Sequence, residues 1–278
     1  MSTKEEIDDL IKSNICRPQV YGIIPENAEK ILDFGCNQGA LLLKLKRDKH
    51  CKQLYGVEIR EEYRQVLQKY LDHAWIMNME EEHTELGKEF EGFFNYIIMH
   101  DVVEHLYDPW YVLAKLRKYL SESGRLILVA PNMQYWKIFY ELSQGWFLYG
   151  AEGGIMNEEH IRWFTHNSLT ELAALSGFEI EKMQLLFPDT VELKMSTEQN
   201  KCLQFPLAKN LKPGQMYITL HNFNDQKNDQ QLFFANKIML VCSPSEMPVD
   251  PERIKDKSLN VRRKKLRDFY KNIKLLKS

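Results

Sequence analysis

Cysteine is scarce in this 278-residue chain: five residues, odd in number and scattered, at Cys16, Cys36, Cys51, Cys202 and Cys242. None forms a Cys-x-x-Cys pair, which argues against a disulfide framework or a thiolate zinc site and for a reducing compartment. Long apolar runs are missing as well, since no stretch approaches the ~18 residues of a membrane span. The opening MSTKEEIDDLIKSN is acidic and polar, without the basic start and apolar core of a signal peptide, so a cytoplasmic location is expected. Internal repeats and low-complexity segments are absent. Charge of one sign is not in excess either: 37 Lys and Arg stand against 39 Asp and Glu, a net charge of −2.

What is present is an ordinary globular balance, with 44% hydrophobic and 27% charged residues and a mean hydropathy of −0.44. Such a chain is long enough to bury a substantial core without staples. The charge is uneven, because Pro251 to Ser278 carries 11 basic residues against 3 acidic ones, a local +8. Leu259, Arg263, Leu266, Phe269, Ile273 and Leu276 recur there near helical spacing, so the expectation is a basic amphipathic C-terminal helix over residues 246–278.

From Lys30 onward, short β-rich runs alternate with helical patterns. The runs are Lys30 to Phe34, Gln53 to Glu58, Ala74 to Met77, Phe94 to His100, Arg125 to Ala130, Phe178 to Phe187 and a last strand, Leu232 to Cys242. Helices are expected near Ala40 to Arg47, Glu61 to Leu71, Pro109 to Leu120 and Ser168 to Leu175, the last with Ser168 and Glu171 as a capping box. This alternation predicts an α/β, Rossmann-like, doubly wound and mostly parallel seven-stranded sheet. Residues 132–166, aromatic and glycine-containing, and residues 188–231, polar with prolines, interrupt the pattern. The first reads as a lid after strand 5, the second as an insertion before the last strand. The expected organisation is thus an N-terminal helical segment (1–29), a central domain (30–245) and the basic tail.

The first strand runs into DFGCNQG, Asp33 to Gly39, ahead of a helical pattern. Such a glycine turn lets backbone N–H groups approach a ligand at the positive end of a helix. Glu58 closes the next strand, about 20 residues on, where a carboxylate can accept both ribose hydroxyl protons. Met77-Asn78-Met79-Glu80 follows the third strand, placed to hold an adenine ring. These residues point to an adenosine-type ligand.

ILDFGCNQG resembles the glycine motif of the class I S-adenosylmethionine-dependent methyltransferases, with Asn37 in place of the usual middle glycine and Asn78 in place of a common aspartate. Four further blocks resemble a bacterial subgroup associated with glycan-synthesis genes: RPQVYGIIP (Arg17 to Pro25), DVVEHLYDPW (Asp101 to Trp110), GRLILVAPN (Gly124 to Asn132) and GIMNEEHIRWFT (Gly154 to Thr165). The resemblance covers roughly Asn14 to Phe187. It implies S-adenosylmethionine as cofactor, held by Asp33, Gly35, Cys36, Asn37, Gly39, Glu58, Ile59, Asn78, Met79 and His100, and methyl transfer to an oxygen of a sugar, glycan precursor or similar small molecule.

Catalytic candidates follow from the chemistry, because a hydroxyl acceptor must lose a proton. Glu104 and His105 lie in the loop after the fourth strand. His160 could act as general base, while Arg162 could clamp a phosphate or carboxylate. Asp101-x-x-Glu104-His105 also resembles the metal motif of small-RNA 2′-O-methyltransferases, with His160 as a further ligand. This would bring Mg²⁺ or Mn²⁺ to Asp101, Glu104, His105 and His160, the less favoured reading, since one such cluster is weaker evidence than two spaced ligand pairs. The aromatic lid suits a sugar face and equally a homodimer interface. The rival functions are N-methylation of an amino sugar, methylation of RNA, and S-adenosylmethionine binding without turnover. RNA is disfavoured by the net charge and by the lack of a basic stripe interleaved with aromatics.

Overall fold

The computed structural model describes residues 3–13, 17–151, 153–188, 203–206, 217–220 and 232–246. The N-terminal segment forms helices α1 (Thr3–Ser13) and α2 (Pro18–Ile23). There follow β1 (Lys30–Phe34), α3 (Ala40–Lys49), β2 (Gln53–Glu58), α4 (Arg64–Tyr70), β3 (His73–Ile76), β4 (Phe94–His100), α5 (Pro109–Arg117) and β5 (Leu120–Pro131). Then come α6 (Trp136–Ser143), α7 (His166–Leu175), β6 (Phe178–Leu186), β7 (Leu203–Pro206), β8 (Tyr217–Leu220) and β9 (Lys237–Pro244). Seven strands make one sheet in the order β3-β2-β1-β4-β5-β9-β6, and β7 and β8 pair antiparallel by themselves. Strands β1 to β5 are parallel, and β9 runs antiparallel between β5 and β6. The expected mostly parallel, Rossmann-like sheet is therefore present, with an insertion ahead of its last strand.

Why these segments become inner strands is visible in their burial. β1, β2 and β4 are covered on both faces, so they need continuous apolar runs rather than alternation. One face packs Ile31, Leu54 and Ile98 against α2, α3 and α4, where Leu41, Leu42 and Leu45 are buried. Each such leucine contributes about 1.5–3 kcal/mol. The other face packs Leu32, Val57 and Met99 against α5 and α7 through Val112, Leu116, Leu169 and Leu172. The result is a three-layer sandwich whose strand order reverses between β1 and β4, the point where open α/β sheets bind ligands.

Local chemistry sets the helix ends. Pro109 opens α5 as expected, and the Asp108 side chain accepts a hydrogen bond from the Tyr111 N–H at 3.1 Å. The cap of α7 differs from the sequence reading. Thr165 is its N-cap, Ser168 is the third helical residue, and the two form the capping box that was expected of Ser168 and Glu171. Leu232 to Phe234, expected to begin the last strand, form a helical turn instead. The carbonyls of Leu232 and Ala235 are taken by the Asn132 side chain at 2.7 and 2.8 Å, leaving that stretch unladdered until Lys237. The expected basic helix lies, apart from Glu246, outside the described residues, and residues 188–231 are described only at Pro188, β7 and β8.

Candidate active site

The glycine turn leaves β1 through three residues of left-handed backbone, Gly35 (φ 75°), Asn37 (φ 52°) and Gly39 (φ 80°). Asparagine adopts this conformation more readily than most residues, which suits Asn37 to a position that the family usually gives to glycine. At Gly35 there is also no room, since a Cβ would meet Val102 Cγ2 at 2.7 Å. Glu58, buried at the end of β2, faces the turn. Its Oε2 accepts the Asn37 N–H at 2.7 Å, and its Oε1 accepts those of Ile59 and Arg60 at 2.9 and 3.0 Å. Three backbone donors thus orient the carboxylate.

Asp33 is buried beneath the turn and paired with Arg17, whose Nη1 donates to its Oδ1 at 3.1 Å. Arg17 Nη2 donates to the Gly35 carbonyl at 3.3 Å. Burial pushes the Asp33 carboxyl up to about 6; Arg17 opposes the rise and Glu58 adds to it. Cys36 is buried against Gly56, where a Cβ would lie 2.6 Å from its Sγ, and burial raises its thiol well above the ordinary range. Asn78 sits at the end of β3 with its Oδ1 accepting the Glu80 N–H at 3.0 Å. The Met79 side chain is in the core, and its carbonyl accepts from Lys115 at 3.1 Å. Ile59 contributes a backbone N–H here while its side chain is exposed.

At the end of β4, Asp101 adopts left-handed backbone (φ 56°) and bonds to Lys237 of β9. His100, buried, places Nδ1 3.1 Å from Asp101 Oδ2. Burial would raise the Asp101 carboxyl, but His100 and Lys237 outweigh it and hold it well below the usual range. For His100, burial is the larger effect and lowers its pKa.

The next turn, Val103–His105, turns Glu104 inward. Its side chain is 1% exposed, and neither carboxyl oxygen has a hydrogen-bond partner among the described residues. Burial, and then Asp101, push this carboxyl up to about 8. His160 Nε2 lies 4.0 Å from Glu104 Oε1. His160 Nδ1 is 2.9 Å from the Ile155 carbonyl and His105 Nδ1 is 3.2 Å from that of Glu159. A carbonyl only accepts, so each Nδ1 carries a proton, and in the neutral tautomer the lone pair is on Nε2. The two rings meet edge to face at 4.7 Å, and one ligand atom from each of Glu104, His105 and His160 falls within 4.8 Å of the others. Burial, then His160, lowers the pKa of His105.

The structure thus gathers Glu104, His105 and His160 but turns Asp101 away, toward Lys237. Arg162 ties the segment between β5 and α7 to the same loop: its N–H and that of Ile161 donate to the Glu104 carbonyl at 3.0 and 2.9 Å, and its Nη2 donates to the Tyr107 carbonyl. The two ends of that segment meet where Met133 N–H donates to Phe164 O at 2.8 Å. Arg17 and Lys237 escaped the sequence reading. The only local signal for Arg17 was its place at the head of RPQVYGIIP, and Lys237 had none.

A sheet of this order, with a left-handed glycine turn after β1 and an oriented carboxylate closing β2, defines the Rossmann-like architecture of class I methyltransferases. Residues 7–183 match the family described as a methyltransferase domain, and the chain belongs to that family. The protein is an S-adenosylmethionine-dependent methyltransferase. Among curated proteins, none matches the chain significantly. Solved structures sharing the fold include an S-adenosylmethionine-dependent methyltransferase from Mesorhizobium loti, at 11% identity and TM-score 0.52, covering 84% of this chain and 99% of that one. Another is the candidate methyltransferase in complex with the Trm112 methyltransferase activator of Haloferax volcanii, also at 11% and 0.52, covering 87% and 95%. At such identity the likeness is one of fold. No helix among the described residues is long and apolar enough to cross a membrane.

Proposed function

We propose that the protein methylates an oxygen of a sugar, glycan precursor or similar small molecule. The observation that carries this reading is the cluster of Glu104, His105 and His160, which offers two imidazole lone pairs and an unpartnered carboxyl beside the ligand-binding edge of the sheet. A neutral amine can attack with its own lone pair, whereas a hydroxyl needs its proton removed, and a buried proton acceptor is suited to that. S-adenosylmethionine supplies an electrophilic methyl group whose bonding pair departs with sulfur. Glu58 would hold the ribose, Asn78 the adenine edge, and the turn from Gly35 to Gly39 would let the backbone approach the cofactor. His160 Nε2 would receive the acceptor's proton, with the lid's exposed Trp146, Phe147 and Tyr149 offering faces to a sugar ring.

The test is incubation with labelled S-adenosylmethionine and a panel of nucleotide sugars, amino sugars and RNA, with the product located by mass spectrometry. Methylation of a sugar hydroxyl supports the reading. Methylation of amines or RNA alone, or cofactor binding with no turnover across the panel, would overturn it.

The unpartnered Glu104 supports a second reading, in which it joins the two Nε2 atoms in holding a divalent cation that binds the acceptor oxygen. Two imidazoles favour Mn²⁺ over Mg²⁺. Metal analysis of the purified protein and activity after chelation decide between the two: full activity in the chelated, metal-free enzyme would remove the cation.

A further inference from the structure

Most of the large apolar side chains that face water among the described residues lie in one place, the segment between β5 and α7. Four stand in a single run, Trp146-Phe147-Leu148-Tyr149, between Gly145 and Gly150. With Leu142 and Trp163 they are 38–59% exposed. They form a surface rather than a scatter, since the Phe147 ring meets those of Tyr149 and Trp163 edge to face, at 5.4 and 6.4 Å between centres.

The exposure is built in. The Trp146 N–H donates to the Glu141 carbonyl at 3.0 Å, that of Gly150 to the Met156 carbonyl at 2.7 Å and that of Glu158 to the Gly150 carbonyl at 3.0 Å, so the run is pinned at both ends. Taking ~200 Å² for a large side chain, these six leave on the order of 600 Å² of apolar surface in water. That reaches the top of the ~300–600 Å² range for the largest patch of an ordinary monomer. One sugar ring stacked on Trp146, Phe147 or Tyr149 would cover a small share of it. The patch supplies most of the ~800 Å² that each partner contributes to a standard protein interface.

Charge narrows the occupant. No charged residue occurs from Leu142 to Ala151, while Lys137, Glu158 and Glu159 stand exposed in the stretches on either side. An aromatic centre free of charge within a rim of both signs has the anatomy of a protein–protein contact. The two glutamates would repel an anionic lipid surface. A rim of both signs also lets the face meet its own copy, as a two-fold contact requires.

We propose that this face is the interface of a homodimer, with a second copy of the chain seated on Leu142 and the run from Trp146 to Tyr149 about a two-fold axis. The acceptor then binds at the border of the interface. The bonds at Gly150 tie the run to the turn whose Ile155 and Asn157 carbonyls hold Nδ1 and the backbone N–H of His160, at 2.9 and 3.0 Å, so the partner also steadies His160.

The test is sedimentation velocity of the full-length protein across micromolar concentrations, with hydrogen exchange read by mass spectrometry on the same samples, for the wild type, Leu142→Glu and Leu148→Glu. The wild type should sediment as a dimer, and the amides of residues 142–163 should exchange several-fold more slowly as the dimer fraction rises. Either substitution should weaken dimerisation by about 10-fold or more, the worth of one well-packed interface side chain. S-adenosylmethionine affinity, measured by calorimetry, should stay unchanged and report that each variant is folded. A wild type that remains monomeric overturns the proposal, whether the face is then covered by the chain's own C-terminal tail or, in flotation with phosphatidylglycerol vesicles, by lipid. So does a dimer that neither substitution weakens, or one whose protection lies outside residues 142–163. Should a glutamate variant lose cofactor binding as well, Leu148→Gln and the location of protection in the wild type decide.

Discussion

His160 Nε2 stands 4.0 Å from Glu104 Oε1, with both side chains buried and with the Nδ1 of His160 committed to the Ile155 carbonyl. The ring is thus oriented by the backbone of Ile155, and its Nε2 faces Glu104 in the loop after β4. His160→Gln should therefore lower turnover by about 10²–10⁴-fold, the usual worth of a general base, with the cofactor dissociation constant unchanged. Single-turnover kinetics alongside calorimetry checks both halves of that expectation.

Gly35 combines a left-handed backbone with a close approach to Val102. Gly35→Ala should destabilise the protein by about 1–3 kcal/mol in urea denaturation. Adding Val102→Ala should relieve the steric share and leave the backbone share, so the double variant should fall between Gly35→Ala and Val102→Ala.

Asp33 makes stability depend on pH in the sense opposite to a surface carboxylate. Its folded pKa of about 6 exceeds the ordinary 3.8, so between those values the native state binds more protons than the unfolded one. Stability from this group is greatest below about pH 4 and declines as pH rises to about 6, by on the order of 3 kcal/mol. The difference in unfolding free energy between wild type and Asp33→Asn, measured at pH 4 and pH 7, should shrink accordingly.

Thr165 caps α7. Thr165→Ala should cost about 1 kcal/mol, the usual worth of an N-cap, in equilibrium denaturation.

The inner strands were legible in the chain itself, because a strand buried on both faces is mostly apolar rather than alternating: Lys30–Phe34, Gln53–Glu58 and Phe94–His100 match residue for residue. Leu232 to Phe234 misled for the same reason. An apolar run is equally suited to a buried helical turn, and here Phe233 packs near Phe139, 5.5 Å between ring centres. At the site, spacing within a few residues could suggest that Glu104 and His105 lie together. It could not show that Asp101, three residues earlier, turns to a lysine 136 positions away, or that Arg17 reaches Asp33 across 16. Those partnerships follow from strand order, which no local window contains.

The antiparallel strand β9 has a consequence for the birth of the molecule. It is made last among the sheet strands yet lies inside the sheet, as β6's neighbour and β5's. A ribosome that has just finished β6 has produced a chain with the raw edge of β5 open to any passing strand and β6 without its sheet partner, the kind of exposed edge that invites aggregation. Lys237 arrives with the strand that closes this gap and only then reaches Asp101, so the ion pair at the end of β4 is completed by the same late event that seals the sheet.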